Sequence, residues 1–510
     1  IAQVGSTKLA RSSNMKKKIV IIGAGVGGLA TAIRLAKKGH SVSIFESASF
    51  VGGKCHVIER NGFKFDTGPS LLTIPAVYRD LFMKSGKRLE HILDLQPVDP
   101  AFTYNFSDGK KLVFSNLSIK KNCDEIEKVL GKSSGDQWHR LMQLAERMWD
   151  ISRTPFIESE LRIRNIIREI TLRKFLAIRP FSSLRKYVRK ITKDQHLQYI
   201  VDRYATYSGS DPRKAPAPLL TIPFIESAFG AWHIKGGLGN LANALGQRAK
   251  ELGVEIHLET KVKEIIVNGG VAVGVKLASG EKITADVVVA NADAKVVYND
   301  LIPQHVKYAN KERKKLAKHS ASFSGFSLFL GLDNSKISGE IPKLSHHNIW
   351  FPDDYDQEFK SLFDSKTPVA DPTIYICSPS DETMVPESGF ESWSVLINAP
   401  LHDPKNGMDW SQIENKYAEK IIEKLDRLGL KVSERLAYFE FRSPKDLQEI
   451  VGAPGGSIYG TSSNGARAAF FRAKNRSDIS SLYLVGGSTH PGGGLPLVGI
   501  SAEIVSNAID

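Results

Sequence analysis

Lys16, Lys17 and Lys18 give way to Ile19-Val20-Ile21-Ile22, an unbroken β-branched run suited to a strand buried on both faces of a parallel sheet. Gly23 ends it. Leu29, Ala30, Ala32, Ile33, Leu35 and Ala36 then recur at helical spacing as far as Gly39, and Ser41-Val42-Ser43-Ile44-Phe45 predicts a second strand that closes at Glu46. Four later apolar runs, at 254–258, 262–267, 271–277 and 283–290, predict strands joined by short turns. Runs at 323–332 and 373–377 predict two more strands, and 500–509 predicts a closing helix. Between 161 and 193, Ile163, Ile166, Ile167 and Ile170 keep helical spacing, as do Leu184, Tyr187, Val188 and Ile191, with Arg179-Pro180-Phe181 between the two sets. The pattern predicts two amphipathic helices there. No run approaches about 18 apolar residues, so no membrane-spanning helix is expected.

With 510 residues, 42% hydrophobic and 24% charged, the chain has the composition of a folded protein of at least two domains. Residues 1–14 are small, polar and weakly basic; they read as a disordered leader or cloning remnant, with Met15 as the natural start. Cys55, Cys123 and Cys377 lie far apart with no metal-ligating spacing, which fits a reducing cytoplasmic setting and no metal. The net charge of +14 is concentrated: 161–193 holds eleven Lys or Arg against the single acid Glu169. Basic residues flanking an apolar face suit a helix lying on anionic lipid, with a domain-covering helix pair as the alternative. No aromatic platform or nucleic-acid motif accompanies the charge, so nucleic acid is not expected as a partner.

The candidate chemistry begins at the first turn. Gly23-Ala24-Gly25-Val26-Gly27-Gly28 fits Gly-x-Gly-x-x-Gly between a strand and a helix. Gly23 serves the tight turn, Gly25 the approach of a pyrophosphate to the backbone, and Gly28 the close packing of helix on strand. The helix N-terminus then faces the phosphates. Glu46, followed by Ser47, stands where a carboxylate accepts hydrogen bonds from a ribose. Gly52-Gly53-Lys54 follows, and it resembles the second signature of the superfamily of amine oxidases, protoporphyrinogen oxidases and phytoene desaturases, in which this loop wraps the FAD pyrophosphate. Lys54 replaces an arginine common there, keeping charge but losing bidentate geometry. No second intact fingerprint follows a later strand, so the expected cofactor is FAD alone, with an external electron acceptor such as oxygen or a quinone.

From Met15 to the C-terminus the chain resembles the bacterial and fungal phytoene desaturase family of carotenoid desaturases. Four patches carry the likeness: residues 62–70, ending Gly-Pro69-Ser70; 207–217; 230–239 with the strands that follow; and 482–498, Leu-Tyr-Leu-Val-Gly486-Gly487-Ser-Thr-His490-Pro-Gly-Gly-Gly-Leu-Pro496-Leu497-Val498. Where many phytoene desaturases have Gly-Ala-Gly-Thr-His-Pro-Gly-Ala-Gly, this chain has Gly486-Gly-Ser-Thr-His-Pro-Gly-Gly-Gly494, closer to relatives such as hydroxycarotenoid 3,4-desaturases. The resemblance implies an α/β fold with a Rossmann-like FAD domain built from 15–90, 226–300 and 441–510. A helical, membrane-associated region would occupy 91–225 and an α+β substrate domain 301–440. It also implies that Pro69 and Ser70 lie beside the flavin ring, Val262 meets the adenine, Asn291 passes near the nucleotide, Gly486 and Gly487 reach the ribityl-phosphate, and the helix after Pro496 points at the flavin.

The implied reaction is desaturation of phytoene or a later, 1-hydroxylated intermediate. An allylic hydride departs to flavin N5 and a proton leaves the adjoining carbon, since no carbonyl acidifies either position. His490 is the one titratable group in the last signature and a candidate proton acceptor, with a purely structural His-Pro turn as the alternative. Two other functions stay open: a flavin-dependent oxidase, saturase or isomerase of a carotenoid or retinoid, and a flavin-free lipid carrier of the GDP-dissociation-inhibitor type.

Overall fold

The apolar run after the lysines forms the centre of a parallel sheet. In the computed structural model, which describes residues 15–162, 168–340, 343–465 and 472–509, strand Lys18–Ile22 lies between Val287–Ala290 and Ser41–Phe45. Strand Leu482–Leu484 extends one edge and Glu255–His257 the other. Alternation divides each strand between two cores. Ile19, Ile21, Val42, Ile44, Val287 and Val289 face helices Val26–Lys37, Gly239–Glu251 and Leu495–Ala508, while Val20, Ile22, Val288 and Ala290 face a three-stranded antiparallel sheet. Both faces are covered, which is why the strands read as unbroken apolar runs.

The 283–290 run is not one strand. Lys282–Thr284 closes the antiparallel sheet, the chain turns at Ala285 and Asp286, and Val287–Ala290 enters the parallel one. Asp286 fixes the turn by accepting the Lys18 N–H at 2.7 Å. The amphipathic pattern could not show this break, because both strands are apolar on the side they share.

A second sheet of seven strands runs in the order Leu436–Arg442, Ser324–Asp333, Phe390–Ala399, Ile374–Cys377, His347–Trp350, Phe102–Asn105 and Lys111–Phe114. It is antiparallel except where His347–Trp350 meets Phe102–Asn105. Helix Glu414–Arg427 covers one part through Tyr417, Ile421 and Leu425. Helices Lys132–Ser152, Leu184–Ile191 and Gln195–Thr206 pack with Phe102, Tyr104, Ile349 and Tyr375 in another core. The hairpin 102–114 therefore places strands within a stretch expected to be largely helical.

The proposed leader 1–14 and the residues Ile163, Ile166 and Ile167 lie outside the described residues. Helix Leu184–Ile191 forms as expected, but its apolar face turns inward: Leu184 and Val188 are fully buried. The apolar side chains left to solvent come from its neighbour. Leu172 is 74%, Leu176 49% and Phe181 78% exposed, around helix Leu172–Ala177. Among the described residues no helix is long and apolar enough to cross a membrane.

Candidate functional site

The fingerprint turn has the geometry its glycines require. No described side chain caps helix Val26–Lys37, which begins after Gly25 in extended conformation, so its first-turn N–H groups stay available to an anion. Glu46 ends the second strand beneath the turn: one carboxylate oxygen accepts the Ala24 N–H at 2.7 Å, and the other accepts the Ala48 N–H at 2.9 Å and the Ser47 hydroxyl at 3.2 Å. A carboxylate offers about four lone-pair directions, so Glu46 is oriented by the loop and keeps capacity for a ribose. Thr260 donates its N–H to the Glu46 backbone carbonyl at 2.7 Å, which ties the segment leading into strand Val262–Asn268 to the end of the second strand.

The glycine pair lies against the fingerprint. Gly52 donates its N–H to Ala24 at 2.9 Å, and a Cβ on Gly53 would come 3.6 Å from Gly25 Cα. Gly52 has φ +108 and is hemmed in by Ala242 of helix Gly239–Glu251, so only glycine suits it. Lys54 is half-buried, and its Nζ donates to the Ser457 and Ile458 carbonyls at 3.0 and 2.7 Å. Burial lowers its pKa to about 8, against the opposing pull of Asp293.

Asn291 joins the two ends of the chain. The amide orientation that satisfies its neighbours accepts the Gly25 N–H and donates to the Val485 carbonyl, both at 3.2 Å. A Cβ on Gly27 would lie 2.7 Å from this amide, 3.2 Å from Val498 and 3.3 Å from Gly486 Cα. The first fingerprint and the last signature are thus in van der Waals contact, with no room for a side chain between them. Pro496, Leu497 and Val498 open helix Leu495–Ala508, which also lacks a side-chain cap, and Tyr78 donates to the Leu495 carbonyl at 2.6 Å.

Ser70 shares a 2.6 Å hydrogen bond with Tyr375, whose hydroxyl is also 2.8 Å from His347 Nδ1. Pro69 precedes it. Within the same stretch Asp66 is buried and accepts the N–H groups of Leu238 at 3.0 Å and Gly239 at 3.1 Å, fastening segment 62–70 to the N-terminus of helix Gly239–Glu251. Burial raises its carboxyl to about 6, which those two hydrogen bonds oppose. Sequence reading gave Asp66 no role; an isolated Asp carries no signal until the helix start it serves is known.

Arg472 was missed for a similar reason. Fully enclosed, it donates to the Tyr459 carbonyl at 2.8 Å and to Gly487 O at 3.1 Å, and burial lowers it to about 10 while Asp293 opposes the shift. It is a fixed positive charge beside the Gly486-Gly487 turn. Cys377 also has company the sequence did not show: its ligand atom and those of His346 and His347 lie within 4.8 Å of one another. Sequence spacing carries no sign of this group, because antiparallel pairing sets His347 opposite Cys377 across thirty residues of chain. Burial holds both imidazoles far below their ordinary pKa.

His490 is 6% exposed, and its Nε2 lies 2.9 Å from the Ser159 carbonyl. A carbonyl only accepts, so Nε2 carries the proton and the ring ties the last signature to the segment that leads into the basic stretch. Burial is the main cause that lowers its pKa to about 4, with Arg472 adding to the effect and the Ser159 hydrogen bond opposing it. Because the folded value lies below 6.5, the unfolded chain takes the proton first. The stability His490 confers is complete above about pH 6.5 and is lost as pH falls toward 4. Thermal denaturation should show about 2 kcal/mol lost from this group by pH 5. His490→Gln, which keeps an N–H donor, should flatten part of that slope; an unchanged slope would refute the assignment.

These features fit a flavin dinucleotide: two uncapped helix starts, an oriented acidic group at the second strand, and a buried cation at the closing turn. The chain belongs to the flavin containing amine oxidoreductase family, whose model matches residues 26–509. Within that family it is a carotenoid desaturase-type member. It is 33% identical to the 4,4'-diapolycopene oxygenase of Methylomonas sp over 98% of this chain and 99% of that one. It is 32% identical to the 1-hydroxycarotenoid 3,4-desaturase of Flavobacterium sp., covering 97% and 99%. An oxidoreductase from Methanosarcina mazei has the same fold, with TM-score 0.64 at 16% identity over 96% of this chain and 100% of the other. The protein is accordingly an FAD-dependent oxidoreductase rather than a flavin-free carrier.

Proposed function

We propose that this protein oxidises a carotenoid-type polyene, removing a hydride and then a proton from adjoining carbons to extend the conjugated system. FAD, when bound, supplies the hydride acceptor. The observation that carries the reading is the meeting of the chain's two ends at Asn291, which brings Gly25, Gly27 and Gly486 into one cradle. Pro69 and Ser70, the latter bonded to Tyr375, are assigned to the wall beside that cradle, and the tyrosine-rich core that holds Tyr375 is assigned to the side that takes the long chain. The nucleotide part is assigned to 15–90, 226–300 and 441–510, and the substrate part to 91–225 and 301–440. The flavin is reoxidised by an outside acceptor, oxygen or a quinone. His490, spent on Ser159, is assigned a positioning role.

The substrate is drawn from a membrane through the exposed patch of Leu172, Leu176 and Phe181, ringed by exposed Arg173, Lys174 and Arg179. The His490 bond to Ser159 links this stretch to the flavin signature. Leu172→Glu with Phe181→Glu should weaken flotation with phosphatidylserine vesicles by roughly tenfold while flavin content stays unchanged. Equal flotation would dismiss the patch.

Incubating the flavin-loaded protein in liposomes with phytoene, 1-hydroxylated carotenoids and 4,4'-diapolycopene tests the reaction. Desaturation gives a red shift and a product lighter by two hydrogens. The second reading, oxidation of a terminal carbon, rests on the likeness to an oxygenase and would give a product heavier by oxygen without a new internal double bond. A polyene left unaltered with every acceptor would end the proposal.

A further inference from the structure

Helix Gln195–Thr206 carries Arg203 into the interior, where it is 8% exposed. Among the described residues its guanidinium forms no hydrogen bond and no ion pair, and its Nε is enclosed without a partner. Among the described residues two aromatic faces meet it: the guanidinium carbon is 5.3 Å from the centre of the Tyr375 ring and 5.8 Å from that of Tyr207. Arg472, by contrast, is buried with two carbonyl acceptors. An arginine has five N–H donors and no way to shed its charge, so burial without acceptors is costly, and ring faces offset only part of that cost.

The nearby oxygens are already engaged. Tyr204 donates to Glu226, Tyr207 donates to the same carboxylate at 3.4 Å, and Tyr375 is held between Ser70 and His347. Glu226 lies beyond ion-pair distance, and burial raises it to about 7, so it is only a partial counter-charge for Arg203 near neutrality. Tyr375 links Arg203 to Ser70, the residue assigned above to the wall beside the flavin cradle. On the other side Tyr459, within the field of Arg203, abuts the last signature: a Cβ on Gly493 would lie 2.7 Å from its ring. Arg203 therefore stacks on Tyr375, which is bonded to Ser70, and on Tyr207, which is bonded to Glu226.

Resting on the polyene reading above, we propose that Arg203 is the recognition group of an end-group subsite that binds an oxygen-bearing terminus, so that the protein selects end-oxidised polyenes over plain hydrocarbons. The ligand must bring an acceptor oxygen, whether hydroxyl, aldehyde or carboxylate; a hydrocarbon terminus leaves the guanidinium as unsatisfied as before. Tyr207 and Tyr375 hold the guanidinium plane while its free N–H groups donate to that oxygen.

The test titrates flavin-loaded protein in detergent micelles with 4,4'-diapolycopene and with its terminal monoalcohol, monoaldehyde and monocarboxylic acid, following the polyene absorbance. At least one oxygenated chain should bind about tenfold or more tighter than the hydrocarbon. Arg203→Met should bind all four at the hydrocarbon level, and Arg203→Lys should keep part of the preference. Equal binding of the four chains by the unaltered protein, or a preference that survives in flavin-loaded Arg203→Met, would overturn the subsite while leaving the polyene reading intact. Failure of all four to bind would overturn both. The comparison of chains on unaltered protein decides the matter even where Arg203→Met does not fold.

Discussion

Replacing Gly28 with alanine is expected to yield protein without bound flavin, destabilised by about 3 kcal/mol or more. A Cβ at this position would run into the carbonyl oxygen of Gly23 and would stand 3.2 Å from the Asn291 amide. The first obstacle is backbone of the same turn, so no rotamer change relieves it. Relief requires the turn between strand Lys18–Ile22 and helix Val26–Lys37 to open, which moves the first-turn N–H groups away from the anion site. The displaced Asn291 would also release its hold on Gly25 and Val485, loosening the junction with the last signature. Flavin absorbance after purification and a denaturant titration are the measurements. A Gly28→Ala protein with full flavin content and ordinary stability would show that the turn is not built as described.

Asp66→Ala should cost roughly 3 kcal/mol, because it leaves two buried donors, the N–H groups of Leu238 and Gly239, with nothing to accept them. The loss would not stay local. Helix Gly239–Glu251 abuts Gly52 through Ala242, and Asp66's own carbonyl accepts from Ser394 of the second sheet at 3.3 Å. Flavin affinity should therefore fall together with stability, measured by equilibrium dialysis and by denaturation. Asp66→Asn keeps one acceptor oxygen and should lose less. If Asp66→Ala matches Asp66→Asn in both measurements, the helix start is satisfied some other way.

Much of the nucleotide site is legible from residues alone, because its signals are local. Six residues specify the strand-turn-helix, and Glu46 follows at the distance that one short helix and one short strand impose. The patch at 482–498 is also contiguous, so its likeness to a flavin signature needs no knowledge of partners. What escaped sequence reading depends on contacts between distant segments. Asp66 acquires its role from a helix start 172 residues away. In the basic stretch the pattern could not tell which helix face is covered, since Leu184 and Val188 obey helical spacing whether a neighbour or solvent meets them, and the structure buries both.

The amino-acid order determined that a buried parallel strand would lead through a glycine turn into a helix, and that a matching glycine-rich turn would precede the last helix. Short-range steric demands on the backbone are enough for that. Only the tertiary structure decided that these two turns meet across Asn291, that His347 faces Cys377, and that Arg203 lies buried against aromatic faces with no acceptor among the described residues. Each of these is a pairing between segments whose spacing along the chain carries no periodic trace, so it is set by which apolar faces find each other during packing.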